Sequence, residues 1–139
     1  MANALNTLER VKKFEIDEQR QLLVAEQERE EALKLSLKTL NEDYEREKVF
    51  AKENPIDFDF GLYTDVYLKK KEDLEEKIKQ VEQKIEEIRD VISAIFKEQK
   101  TYEIIDENHK RLQQQKQSAQ EQKMLDEIGT NTYIKKHQD

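Results

Sequence analysis

Leu74, Val81, Ile88, Ile95 and Tyr102 recur every seven residues, and Ile78, Ile85 and Ile92 recur between them at the same interval. Two interleaved seven-residue series of aliphatic side chains are the two seam positions of a helix that zips against another helix. This pattern constrains the fold more than any other feature of the chain. It demands a long helix, and a partner helix to cover one stripe of it.

The remaining composition agrees. Of 139 residues, 41% are charged and 35% hydrophobic, with two glycines and one proline. Such a chain resembles long-helix proteins and has too little apolar material for a layered globular core. The punctuation is concentrated in "KENPIDFDFGLYTD", which holds Pro55 and Gly61. Proline breaks a helix through its missing N–H and its clash with the preceding turn, and Asn54 before it is driven from the helical region. Gly61 then supplies backbone freedom, and Thr64 or Asp65 is expected to cap the next helix. The expected organisation is therefore all-α and a single domain, 1–139, with helix 1 over about 4–52, a turn over about 53–63 and helix 2 over about 64–134. The expected architecture is an antiparallel coiled-coil hairpin whose second helix is the longer. The arms would run roughly 75 and 105 Å.

On the first helix, Val11, Leu22, Leu33 and Tyr44 recur at eleven residues, with Ala25, Leu37 and Leu40 near the same stripe. An eleven-residue period predicts an arm with little left-handed supercoil. With the turn centred on Phe58, residue i faces roughly residue 117 − i. That register sets Glu15, Glu18 and Gln19 against Gln99, Tyr102 and Asp106, where a looser seam is expected. It exhausts helix 1 opposite about residue 112 and leaves the polar stretch "QSAQEQKMLDEIGT" (117–130) beyond the reach of the first helix.

Catalytic chemistry is not indicated. There are no cysteines, which excludes thiol catalysis, disulfides and thiolate metal sites. His109 occupies a seam position, and His137 lies in a terminus expected to fray. Neither glycine sits in a phosphate-binding loop. Asp57 and Asp59 alone make a poor cation site, so neither metal nor cofactor is expected. A net charge of −7 argues against nucleic acid as a partner. No apolar run reaches the ~18 residues of a membrane helix, and the N-terminus lacks the apolar core of a signal peptide, so a cytoplasmic protein is expected. Phe58, Phe60, Tyr63, Tyr67 and Tyr44 gather around the turn. They suit either a plug that closes the hairpin end or a docking patch for a partner.

Four segments taken together resemble the flagellar type III export proteins of the FliJ family. These are the L-x-x-L entry at Leu5 and Leu8, "LKTLNEDYERE" at 37–47, "YTDVYLKKKEDLEEKI" at 63–78, and "EQKMLDEIGTNTYIKK" at 121–136. The E-Q-K-x-x-D-E signature, matched by Glu121, Gln122, Lys123, Asp126 and Glu127, is the specific element. The resemblance implies a non-enzymatic central stalk. Its paired helix ends enter the hexameric export ATPase, FliI, and its turn-proximal part contacts the export gate, FlhA. It also implies work with export chaperones, at the cytoplasmic face of the inner membrane. Carried over, Leu5, Leu8, Glu121, Gln122, Lys123, Asp126 and Glu127 would face the ATPase ring. Leu40, Tyr44, Tyr67, Leu74 and Ile78 would face the gate, with the tip aromatics Phe58, Phe60 and Tyr63 beside them. Where the family often has a second tyrosine, this chain reads Lys48, Val49 and Phe50. The alternatives are the equivalent stalk of an injectisome and a generic coiled-coil adaptor.

Overall fold

The computed structural model describes residues 2–55 and 59–137. Among these there are two helices, α1 (Ala2–Glu53) and α2 (Phe60–His137), which pack against each other, and no strand. Two compact units are distinguished along the chain. One is Lys13–Ile95, and the other combines residues up to Lys12 with α2 from Phe96 onward.

The turn is built from two caps. Asn54, ahead of Pro55, ends α1 by donating both its backbone N–H and its side-chain amide to the Phe50 carbonyl, at 3.0 and 3.2 Å. Asp59 starts α2: its carboxylate accepts the Leu62 N–H at 3.1 Å, and its carbonyl accepts the Tyr63 N–H at 3.2 Å. That is N-cap geometry, with an anion placed at the positive end of the helix. The expected cap at Thr64 or Asp65 is thus corrected, because Asp59 offers an acceptor one turn earlier. Gly61 lies inside α2, and no described glycine has positive φ, so its conformational freedom is unused. Replacing Asp59 by alanine should cost about 1 kcal/mol in urea unfolding, with Asp59→Asn close to wild type.

The earlier start of α2 moves the register. Within Lys13–Ile95, the Tyr44 and Tyr67 rings stack at 3.9 Å, and the Tyr67 hydroxyl donates to Asn41 Oδ1 at 2.6 Å. The expected register had set Tyr44 against residue 73 and Asn41 against residue 76. Beginning the helix at Phe60 draws the partners of α1 back toward the turn. Carried along both stripes, the Tyr44–Tyr67 layer sets Leu37 against Leu74, Leu33 against Ile78, Glu26 against Ile85 and Ile16 against Ile95.

This register explains where the core lies. Among the described residues the buried side chains are Ile16, Tyr67, Val81, Ile85 and Ile95, with exposures between 3% and 9%. Ile16 and Ile95, 3% and 8% exposed, are the buried residues farthest from the turn in the unit Lys13–Ile95. The α2 series read from the sequence holds, since Val81, Ile85 and Ile95 are buried and Leu74, Ile78, Ile88 and Ile92 half-buried.

The α1 series holds only toward the turn, where Leu33, Leu37, Leu40 and Tyr44 are half-buried. Val11 and Leu22 are 45% and 52% exposed, and Ala25 is exposed. The positions α1 turns inward step by three and four instead: Ile16, Gln19, Leu23, Glu26, Glu30, Leu33, Leu37, Leu40, Tyr44. That is a seven-residue seam, matched in period to the one it meets, so the low-supercoil expectation falls with the eleven-residue stripe. It was hidden in the sequence because Gln19, Glu26 and Glu30 interrupt it.

These polar seam positions are handled unequally. Lys34 Nζ lies 3.4 Å from Glu30 and 3.7 Å from Glu82 on the facing helix, and so bridges the two carboxylates. Glu26 Oε2 is buried and has no hydrogen-bond partner among the described residues.

Candidate interaction surfaces

Two regions carry the residues singled out from the sequence. At the turn, Tyr44 is the hub of an aromatic cluster. Besides Tyr67 it stacks with Phe60 at 5.4 Å and Tyr63 at 6.2 Å, and its hydroxyl shares a hydrogen bond with Thr64 at 3.2 Å. Lys71 Nζ stands 5.9 Å from the centre of the Tyr67 ring, within cation–π range. Stacked rings, with the Tyr44 and Tyr67 hydroxyls hydrogen-bonded inside the hairpin, favour the plug over the docking patch. Tyr63 has its phenol held above the usual tyrosine pKa, by burial first and then by the Glu47 and Asp43 carboxylates. It therefore remains a neutral hydroxyl through the physiological range.

The gate-facing candidates accordingly sit in the helix–helix contact. Leu40, Leu74 and Ile78 are half-buried seam residues, Tyr44, Phe60 and Tyr63 are half-buried in the ring cluster, and Tyr67 is buried. Phe58 lies outside the described residues. The apolar surface that the turn region does present is different: Val49, Phe50, Leu62, Val66 and Leu68, between 44% and 63% exposed.

The second region is the far part of α2. In the unit that contains it, Lys12 pairs with Glu98 at 2.6 Å, and Leu5 is half-buried while Leu8 is 39% exposed. From Arg111 to His137 every residue is exposed, yet α2 continues unbroken. Gly129 does not interrupt it, and a β-carbon there would meet nothing within 4 Å. Near the end, the Tyr133 and His137 rings stack at 4.1 Å, and His137 Nδ1 lies 3.0 Å from the Tyr133 carbonyl. The terminus expected to fray is thus helical through His137.

Glu121, Gln122, Lys123, Asp126 and Glu127 are all exposed on this segment, and Gln122 donates to Asp126 at 3.2 Å. Lys123, Asp126 and Glu127 line a shallow depression with Thr130 and Asn131. Sequence reasoning passed over the other flank of the helix. Met124, Leu125 and Ile128 are 61%, 62% and 58% exposed. At 3.6 residues per turn Met124 and Ile128 stack one above the other with Leu125 beside them. Their i, i+1, i+4 spacing was the available signal. The segment therefore carries an apolar patch that shares its face with Glu121, while Lys123, Asp126 and Glu127 point away from it.

Comparison with known families decides where such a chain belongs. The model of the Flagellar FliJ protein family matches residues 60–138, more than half of the chain and the whole of α2. The chain belongs to the flagellar FliJ family. As a FliJ-family member it is a component of the flagellar export apparatus, in a family that is non-catalytic. Searches of curated proteins and of solved structures return no match. The FliJ match includes the exposed segment and its E-Q-K-x-x-D-E signature. Among the described residues no helix is long and apolar enough to cross a membrane, and no group of three or more His, Asp or Glu is placed to hold a metal ion.

Proposed function

We propose that this FliJ-family chain is the non-enzymatic stalk of the flagellar export ATPase. In this reading the exposed part of α2 engages the hexameric ring, FliI, and the turn region addresses the cytoplasmic part of the gate, FlhA. The protein works in the cytoplasm, at the inner-membrane face of the export machinery, and meets export chaperones there. One observation carries the reading. From Arg111 to His137 α2 is exposed throughout and yet stays helical, inside the range that matches the family and with Glu121 to Glu127 on its surface. A surface of weak polar contacts flanked by three apolar side chains suits a partner whose grip changes during a cycle, since exposed ion pairs contribute only about 0–1 kcal/mol each.

The gate reading needs revised residues. Leu40, Tyr44, Tyr67, Leu74 and Ile78 already hold the two helices together, so contacts to the gate fall to exposed neighbours such as Phe50, Leu62 and Val66.

The test is hydrolysis by the cognate flagellar ATPase with and without the protein. Wild-type protein is expected to stimulate turnover and hexamer formation. Lys123→Glu combined with Asp126→Lys should reduce stimulation several-fold while the circular-dichroism spectrum is unchanged. Equal stimulation by the double variant would remove these residues from the ring contact.

A further inference from the structure

The chain holds two methionines, Met1 and Met124, with no cysteine and no tryptophan. Its readily oxidised sulfur is thus confined to two thioethers, and one of them stands on the exposed part of α2. Met124 is 61% exposed, in a stretch where every described residue from Arg111 to His137 is exposed. Nothing in the fold shields that sulfur from a small oxidant in water.

The setting gives its oxidation a consequence. Met124 is one of the three side chains of the apolar patch, with Leu125 at 62% and Ile128 at 58% exposure. Ile128 lies one turn beyond Met124 on the same strip of helix, and Leu125 lies beside both. The adjoining turns bring Gln117, Gln120, Asn131 and Thr132, so no further apolar side chain extends the patch along this face. A thioether is apolar and adaptable, whereas a sulfoxide carries a polar oxygen that accepts hydrogen bonds. Among the described residues all buried side chains lie at or before Ile95, so this change leaves the hairpin core untouched.

We propose that Met124 is a reversible oxidation site that sets whether the apolar patch of α2 can be gripped by a partner. The proposal rests on the reading of this segment as the ring contact. The oxidant is a peroxide. Its O–O bond breaks as an S–O bond forms, and sulfur gives up two electrons. One peroxide oxygen stays on sulfur, and the other takes up the proton of the first and leaves as water. The reverse step needs a methionine sulfoxide reductase and an outside thiol reductant, because this chain has no cysteine to supply electrons. Two thiols then become a disulfide, and the sulfoxide oxygen leaves as water.

Full-length protein is treated with hydrogen peroxide, quenched with catalase and followed by peptide mass spectrometry. Met124 should gain the mass of one oxygen atom within about twofold of the rate of free N-acetylmethionine. Treated and untreated protein are then titrated onto the cognate flagellar ATPase. Oxidation should weaken binding about tenfold, the scale on which a polar oxygen is penalised in an apolar contact. Methionine sulfoxide reductase with dithiothreitol should restore it. Excess ATPase present during the peroxide step should slow the gain at Met124. Met124→Leu, whatever its own affinity, should bind equally before and after peroxide, which separates Met124 from Met1 and from other damage. A Met124 that reacts far more slowly than free methionine overturns the proposal without recourse to the ATPase. So does equal binding by treated and untreated protein, or a peroxide effect that persists in Met124→Leu. If untreated protein does not bind the ATPase, the stalk reading fails and the proposal fails with it.

Discussion

Replacing Glu26 by leucine should make the protein more stable. Its Oε2 is buried without a hydrogen-bond partner at a seam position, in the layer set against Ile85. A buried acceptor that has given up water and found nothing in return costs about 1–3 kcal/mol. Leucine removes that cost and adds apolar area to the seam, worth another ~1 kcal/mol for a partly buried side chain. A net gain of about 2 kcal/mol corresponds to a rise in melting temperature of roughly 4–8 °C for a chain of this size. Glu28→Leu, on the exposed side of the same helix, should stay within about 0.5 kcal/mol of wild type. Thermal unfolding followed by circular dichroism separates the two. A fall in stability with Glu26→Leu would mean that the carboxylate has a partner after all.

The opposite effect is expected at the facing position. Ile85 is 6% exposed and sits among the most buried side chains of α2. Truncation to alanine removes three methyl or methylene groups from a seam that has no second layer to collapse into the gap. The loss should be about 3 kcal/mol. Leu22→Ala, in dilute solution, should change stability by less than ~1 kcal/mol, because Leu22 is 52% exposed. The comparison decides between the two periods on α1. If Leu22→Ala costs as much as Ile85→Ala, the eleven-residue stripe is the seam and the register set by Tyr44 and Tyr67 is wrong.

How much of this was legible depended on which helix was being read. On α2 the seam carries Leu, Ile or Val at every position from Leu74 to Ile95, so the period stood out and the buried residues followed from it. On α1 the seam is interrupted by Gln19, Glu26 and Glu30, while Val11 and Leu22 on another face supply a competing stripe. Periodicity weighs apolar side chains and cannot see that a glutamate is held in a seam by Lys34. The register error had a local origin. Asp59 and Thr64–Asp65 are all competent caps, and only the backbone shows that Asp59 takes the role, which draws the partners of α1 back toward the turn.

The candidate surfaces divide in the same way. Glu121 to Glu127 were found from their signature and are exposed. Met124 and Leu125 lie within that signature and Ile128 follows it, but all three read as part of a polar stretch. The gate candidates Leu40, Tyr44, Tyr67, Leu74 and Ile78 were chosen because they are apolar or aromatic near the turn, which is also what a seam requires. Sequence cannot separate a residue that holds the hairpin from one that offers it to a partner when both need the same side chain.

The stalk reading rests on the exposed part of α2, and one measurement addresses it directly. A chain ending at Lys110 keeps all of the buried residues and loses only the segment in which every described side chain is exposed. Its hydrolysis-stimulating activity is measured on the cognate flagellar ATPase beside that of the full chain. The expected result is a truncated protein with its cooperative thermal transition intact and its stimulation of the ATPase abolished. Full stimulation by the shortened chain would contradict the stalk reading, because the ring would then be held by some other surface.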